Sequence, residues 1–176
     1  MKYYTDELWT KVNSESAEER LKAEEQWDKN AEEYTKIFQT VKKRLTKSFM
    51  NIYLKEHGFH DYHLKNFQIQ HGKRGFKDPV EVRLTVTDEE NTWTIIYKRI
   101  KKIVVNYEQE PDIFPGMGRR FYEGFDDYGF NEFFEIDDKV LSQEILFASG
   151  ATILIHFEKV LIKKETDKEQ EPRKKA

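Results

Sequence analysis

The chain has 176 residues, no cysteine and a formal charge of −3. That length suits one domain, and the missing cysteines exclude disulfides, thiolate catalysis and cysteine-based zinc or iron–sulfur centres. The near-neutral total argues against general nucleic-acid binding, and no apolar run approaches the roughly 18 residues a membrane helix needs. Charged residues make up 36% and aromatics 14%, so a few large rings can supply a core that the aliphatics alone would not fill. Met1 to Glu7 has no apolar h-region, which sets the expectation of a cytoplasmic protein without a signal peptide.

In chain order, Thr5 followed by Asp6 and Glu7 reads as an N-cap and an acidic first turn, with the short helix ending near Asn13-Ser14. Ser16 with Glu19 has the spacing of a capping box. A long helix follows, in which Trp27, Ala31, Tyr34, Phe38, Val41 and Leu45 repeat at four- and three-residue steps along one stripe. A coiled coil has the same spacing. This seam is under three heptads and built of aromatics, so packing against the protein's own sheet is the preferred reading. The stripe changes phase near Thr46, predicting a break there. Phe49, Ile52 and Tyr53 carry a further helix towards Gly58, a candidate C′ residue.

Beyond Gly58 the period becomes two. Tyr62 and Leu64, then Phe67, Ile69 and His71, alternate with a one-residue slip that a β-bulge at Lys65-Asn66 would explain. Gly72 to Gly75 reads as a turn. Val80, Val82, Leu84 and Val86 alternate with polar neighbours, as a half-buried strand does. Asp88 to Asn91 is a polar loop, and strands follow from Trp93 to Tyr97 and from Ile103 to Tyr107. After an interruption rich in glycine and proline, strands resume near Glu132 to Ile136 and Leu141 to Phe147, with a turn at Ala148-Ser149-Gly150. The final strand starts at Ile153 and is read as reaching Ile162. The prediction is an α+β domain over 1–162: helices in 3–57, packed on an antiparallel sheet of about six to seven strands in 60–162. A loop is inserted at about 108–130, and 163–176 is read as a disordered charged tail.

Three segments carry a family resemblance: Tyr3-Tyr4-Thr5-Asp6-Glu7-Leu8-Trp9, Gly58-Phe59-His60-Asp61-Tyr62, and the run from Leu141 to Ile153 with its Phe147-Ala148-Ser149-Gly150 turn. Together they resemble a family of uncharacterised proteins from Bacillus-type Firmicutes, a domain of unknown function. The resemblance covers most of the chain to about Ile162. It implies a bacterial cytoplasmic protein and supplies no activity and no catalytic residues.

Several side chains invite a chemical reading. His57, His60 and His63 with Asp61 are zinc-ligand types at close spacing. The plainer reading has His57 ending a helix and His60-Asp61 bonding locally in a turn. Ser142 and Ser149 lack a nucleophile elbow, and Pro115-Gly116-Met117-Gly118-Arg119-Arg120 lacks the Gly-Lys-Ser/Thr ending of a phosphate loop. Glu123, Asp126, Asp127 and Glu132 could supply a carboxylate pair for a hydrolase. No cofactor is expected.

The most unusual stretch is 108–138. It holds ten acidic residues against Arg119 and Arg120, a net of −8, leaving +5 for the rest of the chain. It is also dense in aromatics. Phe114, Arg119, Arg120, Phe121, Tyr122, Asp126, Asp127 and Tyr128 are the residue types of an interface hot spot with a charged rim. The alternative is a self-packed loop with solvated acids. The resulting expectation is a non-enzymatic, protein-binding module, in its concrete version an immunity-type antagonist of a basic partner. A carboxylate hydrolase or a structural protein without a discrete site stands second.

Overall fold

A computed structural model of the chain describes residues 1–72, 80–108 and 124–165. Helices α1 (Asp6–Val12), α2 (Ala17–Val41) and α3 (Lys47–Lys55) come first, then a 3-10 turn at His57–Phe59. Eight strands follow: β1 (Tyr62–His71), β2 (Val80–Thr87), β3 (Thr92–Lys98), β4 (Lys102–Asn106), β5 (Asp127–Glu135), β6 (Leu141–Phe147), β7 (Thr152–Phe157) and β8 (Lys159–Lys164). They form one antiparallel sheet in the order β4-β7-β6-β5-β1-β2-β3-β8. The fold is α+β, helices on a sheet, with slightly more strands than the sequence suggested. Among the described residues no helix is long and apolar enough to cross a membrane.

The helix starts follow their caps. Thr5 Oγ1 accepts from Leu8 N at 3.2 Å, Ser16 Oγ from Glu19 N at 3.4 Å, and Thr46 Oγ1 from Phe49 N at 3.3 Å. Each such bond satisfies an N–H that the helix geometry orphans. The capping box closes through a relay: Ser14 Oγ donates to Glu19 Oε2 at 2.5 Å and accepts from Ser16 N at 3.2 Å. Thr46 also donates to Val160 O at 3.3 Å, so the cap that starts α3 ties it to β8. The left-handed backbone at the end of α3 begins at His57 (φ 49), one residue before Gly58.

The strand order conceals a closure. β7 and β8 are separated by Glu158 alone, yet they lie second and last in the sheet; β3 and β4 are three residues apart and lie seventh and first. Such short links require the sheet to curl until its ends meet. β3-β4 and β7-β8 are in effect two long bent strands paired along their length, from Trp93↔Lys164 to Lys98↔Lys159 and on from Lys102↔His156 to Asn106↔Thr152. Strands that bend from one sheet half into the other are how orthogonal β packings turn corners. The corner is stitched by Glu158 N to Lys98 O (3.2 Å) and Lys101 N to His156 O (2.8 Å). Arg99 takes a left-handed φ of 56 there. The Glu158 carboxylate bridges Lys101 Nζ at 2.8 Å and Arg99 Nη1 at 3.2 Å.

Inside the ring lie the inward residues of the alternating strands: Val82, Leu84 and Val86, Ile95 and Tyr97, Ile153, Ile155 and Phe157. α2 and α3 close the helical side, with Val41, Leu45, Phe49 and Tyr53 joining the same core. Phe133 is fully buried against Phe38, Phe49 and Tyr53. The stripe on α2 therefore packs on the sheet. The bulge in β1 lies between Leu64 and Asn66, where the alternation slips.

Three expectations are corrected. The last strand is two, because the chain bends at Glu158 and exchanges the β6 side for β3. β5 begins at Asp127 rather than near Glu132, its start disguised by Gly129 and by a register shift between Tyr128 and Phe130. Lys163 and Lys164 belong to β8, and Glu165 N donates to Thr92 O at 2.8 Å, so the tail cannot start at 163. Most of the Gly72–Gly75 turn, the Pro115–Arg120 loop and the tail beyond Glu165 lie outside the described residues.

Candidate functional site

A cleft of about 360 Å³ opens where the N-terminal segment, α2, the end of α3 and β5 meet. Tyr4, Trp27, Tyr34, Tyr53, Phe130 and the His57 and His60 rings line it, with Asn131, Gly58 and Gly129. The rings touch one another. Tyr4 lies 5.5 Å from Phe130 at 24°, Trp27 meets Phe130 edge-on at 4.7 Å, and Trp9 from α1 meets it from outside at 4.9 Å. Tyr4, Trp9, Trp27 and Phe130 all remain partly exposed.

A buried carboxylate places the Tyr4 wall. Glu132 is fully buried and accepts backbone N–H groups from Lys2 (2.8 Å), Tyr3 (2.7 Å) and Tyr4 (2.7 Å). Its cross-strand partner Glu144 takes the Met1 amine at 3.0 Å. Asn30 of α2 donates to Tyr3 O at 2.8 Å. The segment before α1 thus lies as a strap across β5 and β6. Burial, and then the charge of Glu132, pushes the Tyr4 phenol above its ordinary range.

Behind the cleft runs a chain of buried hydrogen bonds. Tyr97 donates to Gln143 Oε1 at 2.6 Å, and Gln143 Nε2 donates to Tyr128 Oη at 2.8 Å and Asn131 Oδ1 at 3.0 Å. Tyr53 donates to the same Asn131 oxygen at 2.8 Å, and Asn131 Nδ2 to Gly58 O at 3.3 Å. The rigid floor of the cleft is continuous with the interior of the ring.

Gly129 shows how tightly the cleft is assembled. A Cβ there would lie 2.6 Å from the Trp9 ring and 2.8 Å from Leu146 O. The ring can yield, but the strand carbonyl cannot without moving β6. Gly129→Ala is expected to cost about 1–3 kcal/mol and to shift Trp9 fluorescence; an unchanged urea midpoint would refute that account of the contact.

Only some of the residues singled out from the sequence are described. Phe114, Arg119, Arg120, Phe121, Tyr122 and Glu123 lie outside the described residues. Tyr128 is fully buried with its hydroxyl bonded to Gln143, so it is core and not a docking side chain. Asp127 pairs closely with His63 Nδ1 beside β1. Asp126, held above the ordinary carboxylate range by burial and by neighbouring Asp127, accepts through its backbone from Leu64 N at 2.9 Å. Among the described residues the acids of this stretch fall into two groups: Asp126 and Asp127 stand at the start of β5, while Glu135, Asp137 and Asp138 stand at its far end. Eight residue steps of extended strand put the two groups about 27 Å apart.

The same geometry separates Glu132 from the other described carboxylates of the candidate set. Glu132 is five steps from Asp127, about 17 Å along the strand, against the roughly 5–9.5 Å of hydrolytic pairs. Its oxygens are also committed to the strap. Ser149 donates to Gly124 O at 2.5 Å and Ser142 is buried in β6. The histidines diverge as well: His60 Nδ1 meets Gly129 O at 2.6 Å, His63 faces Asp127, and His57 borders the cleft. His60 Nε2 lies 3.6 Å from Asp61. Among the described residues no group of three or more such side chains could hold a metal.

Neither protein-family models nor curated proteins give a match to this chain. Function must be read from the cleft. The sequence did not single out Tyr4, Trp27 and Phe130 as a site: Trp27 sits in the core-like stripe of α2, and Phe130 is one of many aromatics in 108–138. The signal present was the Tyr3-Tyr4 pair and a tryptophan on an otherwise narrow stripe.

Proposed function

We propose that this chain is a non-enzymatic binding module that recognises a basic protein partner through the aromatic cleft and the adjoining face of α2. The observation that carries this is the contiguous, partly exposed cluster of Tyr4, Trp9, Trp27 and Phe130. Tyrosine and tryptophan offer large contact area at little entropic cost and dominate interface hot spots. Charge supports the sign of the partner. α2 has seven acidic residues against four basic ones, and Glu24 and Asp28 bracket Trp27. Against the hydrolase reading, Glu132 is taken up by the N-terminal backbone and Ser149 by Gly124 O. The inferred setting, from the missing cysteines and the motif resemblance, is a bacterial cytoplasm.

Affinity capture from a Bacillus-type lysate with quantitative mass spectrometry tests this. Wild-type protein is expected to retain basic proteins in a salt-sensitive manner. Trp27→Ala is expected to lose that set by at least about tenfold, the effect of a hot-spot truncation. The paired change Asp126→Lys, Asp127→Lys serves as a second arm. If it abolishes capture while Trp27→Ala does not, the docking face lies at the start of β5 and the cleft reading is wrong.

A further inference from the structure

Resting on the binding reading above, we propose that the cleft is a socket for the guanidinium of a single arginine side chain presented by the partner. Three observations converge on it.

The walls are ring faces and edges, with Tyr4 and Phe130 nearly parallel and Trp27 set against them. Such faces attract cations through their quadrupoles. Several polar groups lining the cleft are engaged: the Tyr53 hydroxyl and the Asn131 amide bond to each other and to the floor, the Tyr34 hydroxyl accepts from Phe133 N, and His60 Nδ1 is bonded to Gly129 O. The Tyr4 hydroxyl has no protein partner among the described residues and remains as an acceptor at the mouth.

The field has the matching sign. No lysine or arginine lines the cleft. The charge closest behind the Tyr4 wall is the Glu132 carboxylate, bonded to that residue's own N–H at 2.7 Å. It is this charge, after burial, that opposes ionisation of the Tyr4 phenol. Burial, the larger cause, penalises any charge, while the Glu132 carboxylate favours a cation over an anion. A guanidinium suits the site better than an ammonium because it is planar, stacks on rings and gives up its weakly held water more readily.

The test uses the full chain and three blocked tripeptides, Gly-Arg-Gly, Gly-citrulline-Gly and Gly-Lys-Gly. Binding is followed by ¹H–¹⁵N NMR at the Trp27 indole and the Gly129 amide. The arginine peptide is expected to shift both signals and to bind at least about tenfold more tightly than its neutral citrulline isostere, the scale of one desolvated cation–π contact. Trp27→Leu should abolish the Gly129 shift and Trp27→Phe should restore part of it, with the remaining spectrum reporting that both variants are folded. Equal binding of citrulline, equal binding of lysine, or shifts mapping away from the cleft would each overturn the proposal. The two readings fail separately. Trp27-dependent capture of basic proteins without arginine binding leaves the module and removes the socket. Arginine binding without any such capture does the reverse.

Discussion

Glu132→Ala is expected to lower stability by about 3 kcal/mol and to free the first four residues. The substitution removes the acceptor for three backbone N–H groups, one of them buried, from a fully buried position on β5. Hydrogen bonds to a charged group contribute about 1.5–3 kcal/mol each. The sum is not reached, because the strap can lift off and recover water. At this chain length the loss corresponds to roughly 6–12 °C in Tm. Glu132→Gln, which keeps one carbonyl oxygen, should lose about half as much. Deleting residues 1–4 should be at least as harmful as Glu132→Ala, since it leaves a carboxylate buried without donors. Urea unfolding gives the stabilities, and amide exchange at residues 2–4 reports the strap. An unchanged urea midpoint in Glu132→Ala, or persistent protection of those amides, would refute the clamp.

Gln143→Leu should cost a similar amount, about 3 kcal/mol, by a different route. The two side chains have nearly equal volume, so no large cavity opens. What is lost is the acceptor of the buried Tyr97 hydroxyl and the donor to Tyr128 and Asn131. Each buried group left without a partner costs about 1–3 kcal/mol. Adding Tyr97→Phe to Gln143→Leu should recover part of the loss, because it removes the stranded hydroxyl itself. The two changes must therefore be strongly non-additive in a double-mutant cycle. Simple additivity would mean that the bonds do not act as a network.

Much of the architecture was legible because it rests on local rules. Thr5, Ser16 and Thr46 are helix starts that any chain would recognise, and the alternation from Val80 to Val86 defines an inward face without reference to neighbours. Glu158 was not legible. A strand that bends from one half of a sheet to the other keeps its alternation on both sides of the bend, so Ile153 to Ile162 reads as one element. The site was hidden for a related reason. Acidity and aromaticity summed along 108–138 suggested a face, but a strand separates its own ends, and of the described acids Asp127 and Asp137 stand at opposite ends of β5. Conversely Tyr4, Trp27 and Phe130 are distant in sequence, and the contact that gathers them depends on Glu132, whose charge marked it as solvent-facing or catalytic.

The corner formed by Arg99–Lys101 and Glu158 has a consequence for biosynthesis. The segment Lys159–Lys164 is the only described partner on one side of β3, and it is among the last parts of the ring to leave a ribosome. Until then, β3 shows an open edge of paired-strand geometry and the inner rings of Tyr97 and Trp93 lack one of their neighbours. Ring closure is thus postponed until β8 has emerged, and the pairing that completes it joins residues 61 to 71 positions apart. Such long-range closure is slow. The nascent protein has a vulnerable interval built into its topology, in which an unpaired edge can recruit a strand from another chain.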